Sequence, residues 1–158
     1  SATLTSTDNF TALTLCAWIK PGDQINQFPV IITKHSTFFT SWDLYLEDGG
    51  TGPHGFGTSA WGNYVSSSSA PLVQGVWAHI CGVQAGQNAS TYTLYYNGTD
   101  ITGTPNGTGA RSSDTGGDVS IGTFDASSWQ YTGSIDEVRV YNRALSAAEV
   151  ATLYNQGR

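Results

Sequence analysis

Gly133-Ser134-Ile135-Asp136-Glu137-Val138-Arg139-Val140-Tyr141-Asn142-Arg143-Ala144-Leu145-Ser146-Ala147-Ala148-Glu149 is the stretch on which the fold turns. From Ser134 to Tyr141 it carries Ile, Val and Tyr, residues that suit a half-buried pleated surface, so it reads as a strand. Beyond Tyr141 the character changes. Ser146 stands three residues before Glu149, a spacing that lets the hydroxyl take an orphan helix N–H while the carboxylate reaches back. A short helix is therefore predicted from Ala147 to about Asn155. Val150, Leu153 and Tyr154 share one of its faces, and Gly157 marks its end.

Upstream of this segment the chain contains no long helical pattern. Gly, Ser and Asn punctuate short runs rich in Val, Ile, Thr, Trp and Tyr at intervals of about ten residues, as in an antiparallel sandwich or barrel. Predicted strands are Leu13 to Lys20, Val30 to Lys34, Trp42 to Glu47, Phe56 to Ala60, Trp77 to Gln84, Tyr92 to Tyr96, Val119 to Gly122 and Ser134 to Tyr141. Eight strands suit a two-sheet jelly roll, so the predicted class is all-β: an antiparallel β-sandwich with a short C-terminal helix. Asn97-Gly98 predicts a two-residue type I′ hairpin, because both central residues tolerate positive φ. Glu47 to Gly55 and Thr102 to Gly117, rich in Gly and polar residues, read as surface loops. No repeat or change of composition divides the chain, so residues 1–158 are read as one domain.

Composition excludes some functions. Twelve Asp and Glu against six Lys and Arg give a formal charge of −6, and the cations are scattered, so no basic surface exists for nucleic acid. No apolar run is long enough for membrane insertion as a helix, and the start, Ser1-Ala2-Thr3, has no targeting character. The absence of any Met suggests a processed chain or a fragment. Cys16 and Cys81 each lie in a predicted strand, and neither belongs to a CxxC or a zinc-spaced cluster. Two readings are open: buried thiols that behave as small apolar groups, or a cross-strand disulfide tying the two layers together. The disulfide is the expectation; closing this separation would stabilise the fold by about 4 kcal/mol in the loop-entropy model.

The closing strand and helix resemble those of laminin G-like domains in the concanavalin A-like lectin/glucanase superfamily. Earlier landmarks follow the same order: Leu13-Thr14-Leu15-Cys16-Ala17-Trp18-Ile19-Lys20-Pro21, Ile31-Ile32-Thr33-Lys34, Trp77-Ala78-His79-Ile80, Leu94-Tyr95-Tyr96-Asn97-Gly98 and Val119-Ser120-Ile121-Gly122. The resemblance covers essentially the whole chain. Leu15-Cys16 with His79-Ile80-Cys81 resembles the intrachain disulfide of pentraxins, which strengthens the disulfide reading. Only Asp125 matches the carboxylate-rich loops of the pentraxin double-calcium site, so pentraxin ligand binding is not implied. Laminin G-like domains usually carry a further strand upstream of the segment that begins here at Ser1. An incomplete sheet edge is thus expected, to be covered by another copy, a neighbouring domain or Ser1 to Phe10.

The resemblance also suggests where chemistry could sit. Superfamily glucanases place paired carboxylates on one strand, but the Glu-x-Asp-x-x-Glu pattern is absent; Asp43 and Glu47 read as strand-surface polarity. His35, His54 and His79 stand in unrelated contexts and there is no Gly-x-Ser-x-Gly elbow, so the chain is read as not an enzyme. Asp136 shares its parity with Val138 and Val140, and a carboxylate on an apolar face needs a partner. In related jelly rolls this strand contributes an Asp to a structural calcium ion. Asp136 is thus a calcium ligand, or it accepts loop N–H groups or pairs with Arg139 or Arg143, or it is simply exposed.

Trp42, Trp61, Asn63, Tyr64, Trp129 and Tyr131 are loop candidates for stacking on and reading a sugar, with Trp61-Gly62-Asn63-Tyr64 and Ser127-Ser128-Trp129-Gln130-Tyr131 the best. Trp18 and Trp77 are assigned to the core. Sequons begin at Asn9, Asn88, Asn97 and Asn106. The function expected is a non-catalytic extracellular recognition module that binds glycan or protein through its loops. A structural subunit or surface module of an adhesin, filament or virion, self-associating through the incomplete edge, is the alternative, and a glycoside-cleaving enzyme ranks last.

Overall fold

The computed structural model describes residues 10–23, 28–35, 42–47, 55–60, 63–107, 118–124 and 129–157. Within them are β1 (Leu13–Pro21), β2 (Val30–His35), β3 (Trp42–Glu47), β4 (Gly55–Ala60), β5 (Asn63–Ser67), β6 (Ala78–Gln84), β7 (Tyr92–Tyr96), β8 (Thr99–Asp100), β9 (Thr102–Asn106), β10 (Asp118–Ile121), β11 (Gly133–Tyr141) and α1 (Ala147–Gln156). They form two antiparallel sheets, one of order β11-β1-β6-β7-β8 and one of order β10-β2-β3-β4-β5-β9. All eight predicted strands are present. β5, β8 and β9 are additional, and β9 occupies the start of a segment predicted as loop.

Alternation decides what each strand buries. In β3, Trp42, Leu44 and Leu46 are buried while Asp43, Tyr45 and Glu47 are partly open. Leu13, Leu15, Ala17 and Ile19 of β1 face Leu44, Leu46, Phe56 and Val65 of the other sheet in one core, with Ile80 and Leu94 beside them. Burying each such side chain stabilises the fold by about 1.5–3 kcal/mol. Trp42 belongs to this core at 4% exposure, not to a binding loop.

The other face of β1 is also covered, because α1 lies across it. Cys16, Cys81, Val83, Tyr95, Leu145 and Val150 make a second cluster there, with Leu153 packed against it. Thr14 fixes the approach to the helix: its hydroxyl donates to the Arg143 carbonyl at 2.8 Å and accepts from the Leu145 N–H at 3.0 Å. The capping box forms as predicted, with Ser146 accepting from the Glu149 N–H and Glu149 from the Ser146 N–H. Asn97 and Gly98 take φ of 49° and 80°, as the hairpin requires.

Cys16 and Cys81 are disulfide-bonded. They are direct partners on β1 and β6, with Cα atoms 4.2 Å apart. The bond therefore joins neighbouring strands of one sheet under α1; the expectation that it ties the two layers together is corrected. Two tryptophans also depart from expectation. Trp18 points outward with Cys16 and is only partly buried, and Trp77 is 42% exposed.

A bulge corrects the placement of Asp136. Between β1 and β11 the register runs Cys16↔Arg139 and then Trp18↔Asp136, so Ala17 opposes both Glu137 and Val138. Glu137 absorbs the extra residue at φ 47°. Parity flips there: Ile135, Val138 and Val140 all pack on the core, while Asp136 is exposed on the outer face beside Trp18. The Asp136 carboxylate accepts from the Glu137 N–H at 2.7 Å, which satisfies a group that the bulge frees.

Candidate functional site

The outer face of the six-stranded sheet carries a continuous row of polar side chains. Its central rung runs Ser120, Thr33, Asp43, Ser59, Tyr64 and Asn106 across neighbouring strands. The next rung is Tyr45, Gly57 and Ser66, and the third pairs Glu47 with Gly55. The glycines matter. A Cβ at Gly57 would meet the end of the Tyr45 ring at 2.6 Å, and one at Gly55 would meet a Glu47 carboxylate oxygen at 3.1 Å. Tyr45 and Glu47 therefore lean over the bare backbone of β4 and make a shallow floor, with a side chain at Gly57 ruled out unless Tyr45 moves.

Around this floor the polar groups are held in place. Asp43 accepts from the Ser59 N–H at 2.9 Å. Burial pushes its carboxyl up to about 7, against the hydrogen bonds from Ser59. Burial, with Asp43 and Glu47 nearby, lifts the Tyr45 phenol well above its ordinary value, so it stays a neutral donor. Ser66 donates its hydroxyl to Glu47. Phe28 meets the Tyr45 ring edge-on at 6.0 Å and is 45% exposed, and Tyr64 is 38% exposed. From behind, the buried Thr58 hydroxyl donates to the Asp43 carbonyl at 2.6 Å and accepts from the Gln84 amide of the opposite sheet at 2.8 Å.

The predicted sugar-binding residues do not come together. Of that group, Tyr64 lies on this face. Asn63, next to it, points inward and is 1% exposed. Trp61 lies outside the described residues, as do Asp125 and His54. Trp129 and Tyr131 sit near the start of β2, three strands or about 14 Å from β5. Trp129 gives its carbonyl to the Val30 N–H at 3.0 Å and packs edge-on against Phe124 at 4.8 Å. Tyr131 packs on the core, and burial raises its phenol well above the usual range. Both are partly buried and packed against neighbouring elements. Asp43, Tyr45 and Glu47 were visible as an alternating run, yet Gly55, Gly57 and Ser66 join them only through register.

The calcium expectation finds no support at Asp136. A calcium ion takes about six to eight oxygen ligands. Asp136 instead stands beside Trp18, Trp77 and Glu137, and Glu137 is held by Arg139 at 2.9 Å. Among the described residues this set does not fit calcium. Cys16, His79 and Cys81 bring ligand atoms within 4.8 Å of one another, but the sulfurs are bonded to each other, so no metal-thiolate set exists. His79 is buried under Trp18 and Tyr154; burial, with Arg139 nearby, lowers its pKa to about 4.

Residues 1–151 match the laminin G-like family described as the concanavalin A-like lectin/glucanases superfamily. No curated protein matches the sequence significantly. A native heptameric SAP-like pentraxin from Limulus polyphemus superposes with a TM-score of 0.72 at 22% identity, over 96% of this chain and 73% of the pentraxin. A putative carbohydrate binding protein from Bacteroides ovatus gives 0.67 at 21% identity, over 90% of this chain but only 40% of its own. The CBM40 of a Ruminococcus gnavus IT-sialidase, bound to α2,3 sialyllactose, gives 0.66 at 15% identity over 92% and 83%. These likenesses establish the shared fold.

Proposed function

Because this chain belongs to the concanavalin A-like lectin/glucanase superfamily, we propose that it is a non-catalytic carbohydrate-binding module acting outside the cell. The observation that carries the reading is the floor over Gly55 and Gly57, where Tyr45 and Tyr64 flank the carboxylates and hydroxyls of Asp43, Glu47, Ser59 and Ser66. A pyranose presents an apolar face that stacks on an aromatic ring and a rim of hydroxyls that donate to carboxylates. Both partners lie on one face here. Carbohydrate-binding neighbours with the same fold support the reading. The buried disulfide agrees with an oxidising compartment.

Catalysis is disfavoured by the residue between the two carboxylates: Asp43 and Glu47 share one face of β3, but Tyr45 stands between them where the glucanase pattern has a further carboxylate. The test is a glycan array on the disulfide-intact protein, followed by calorimetry with the best oligosaccharide. Tyr64→Ala and Glu47→Gln should each weaken binding while the melting temperature holds. A silent array, binding untouched by both variants, or release of shorter sugars would overturn the proposal.

A further inference from the structure

A second concavity lies on the opposite side of the molecule, on the outer face of the five-stranded sheet. Trp18 of β1 forms its floor; Trp77, just before β6, makes one wall, Asp136 and Glu137 of β11 the other, and Gly157 after α1 closes one end. Its volume is about 280 Å³, enough for a small organic headgroup. Three features shape it. The bulge at Glu137 turns Asp136 outward beside Trp18. Gly157 sits so close to the Trp18 indole nitrogen that any side chain there would collide with it. Tyr154 stacks on Trp18 from the helix side at 5.7 Å, fixing the ring.

The chemistry of the lining is one-sided. Trp18 Nε1 is buried with no hydrogen-bond partner, sealed beneath Gly157, so it offers nothing to an incoming molecule. The remaining polar groups are carboxylates, and the closing end is the C-terminus of α1, whose last carbonyls carry the negative end of the helix dipole. Arg139 engages Glu137 at 2.9 Å; Asp136 uses one oxygen on the Glu137 N–H. Trp77, with the neighbouring Val76 at 51% exposure, supplies an open apolar wall. Indole faces attract cations, and most strongly where water is partly excluded. Lys20, exposed and next on the same face of β1, flanks the opening and acts against a cation there.

We infer that this notch is a second binding site, distinct from the sugar face, for an organic ammonium group carried on a short alkyl chain. The ammonium sits against Asp136 and the end of α1, and the alkyl chain lies along Trp77. Its test uses n-butylammonium chloride and the uncharged 1-pentanol, titrated at constant ionic strength and read by the indole N–H resonances of Trp18 and Trp77. The amine should saturate and the alcohol bind roughly tenfold more weakly. Trp77→Ala and Asp136→Asn should each weaken the amine roughly threefold or more, and Lys20→Ala should tighten it. Trp77 and Asp136 are exposed, and the amide of Asp136→Asn retains an acceptor for the Glu137 N–H, so these variants fold. Equal affinity for amine and alcohol, no response to either variant, or preference for a neutral sugar at this notch would overturn the assignment.

Discussion

Replacing Asp43 by Asn should tilt the pH profile of stability, and the size of the tilt follows from two buried groups that oppose each other. Burial lifts the Asp43 carboxyl from 3.8 to about 7. Between those values the folded protein keeps a proton that the unfolded chain has released, so stability is lost as pH rises. At about 1.4 kcal/mol per pH unit the ceiling is about 4 kcal/mol, and water at the open side of Asp43 reduces it to about 2 kcal/mol. His79 works the other way. Its pKa falls from 6.5 to about 4, so between those values the unfolded chain holds a proton that the folded one lacks, and stability is gained as pH rises, to a ceiling of about 3 kcal/mol. The Asp43 slope offsets about half of the His79 slope from about pH 4 to about pH 6.5, so the native protein should show a shallower rise there than Asp43→Asn. Asp43→Asn preserves an acceptor for the Ser59 N–H and removes the titration. Urea denaturation of this variant should then show about 2–3 kcal/mol gained between about pH 4 and about pH 6.5, and a plateau above, with an unchanged m-value. His79→Gln should show the mirror-image decline. Profiles for both variants that run parallel to that of the native protein would refute the reasoning.

Three further outcomes can be measured. Replacing both Cys16 and Cys81 by Ser should cost about 4 kcal/mol, read as a lower urea midpoint, and denatured unreduced native protein should titrate no free thiol. Gly57→Val should destabilise by about 1–3 kcal/mol and abolish oligosaccharide binding, because the new side chain displaces Tyr45; calorimetry on the refolded variant checks both. Ser146→Ala should cost about 1 kcal/mol by removing one arm of the capping box, with sugar affinity unchanged since α1 lies on the other sheet.

What the sequence reveals is what local chemistry enforces. Asn97-Gly98 could be little other than a tight hairpin, Ser146 with Glu149 announces the start of α1, and the alternation of Trp42 to Glu47 sorts that strand into its two faces. Thr102–Asn106 is hidden because Gly103 and Pro105 argue against a strand, and an edge position tolerates both. Asp136 is misplaced for one reason: a single bulge residue inverts parity, and nothing in Ile-Asp-Glu-Val marks Glu137 as that residue. The same limit applies to the polar face of the six-stranded sheet. Tyr45 is legible as an outward residue, but its position over Gly57 is a fact of register between β3 and β4. Trp18 reads as core because α1 makes the outer face of β1 apolar as well, so alternation no longer separates inside from outside.

Two greasy sheets pressed together could slide over each other at little cost, since Leu against Leu is much the same one residue along. The line from Gln84 through Thr58 to the Asp43 carbonyl removes that freedom. Gly82, two residues before Gln84, gives Thr58 the room to reach across: a Cβ there would lie 2.7 Å from the Thr58 side chain. Any other offset strands a primary amide and a hydroxyl in hydrocarbon. This alignment peg ties the sheet that holds the disulfide to the strand bearing Asp43, so the front of the domain is keyed in register to the covalently braced sheet behind it.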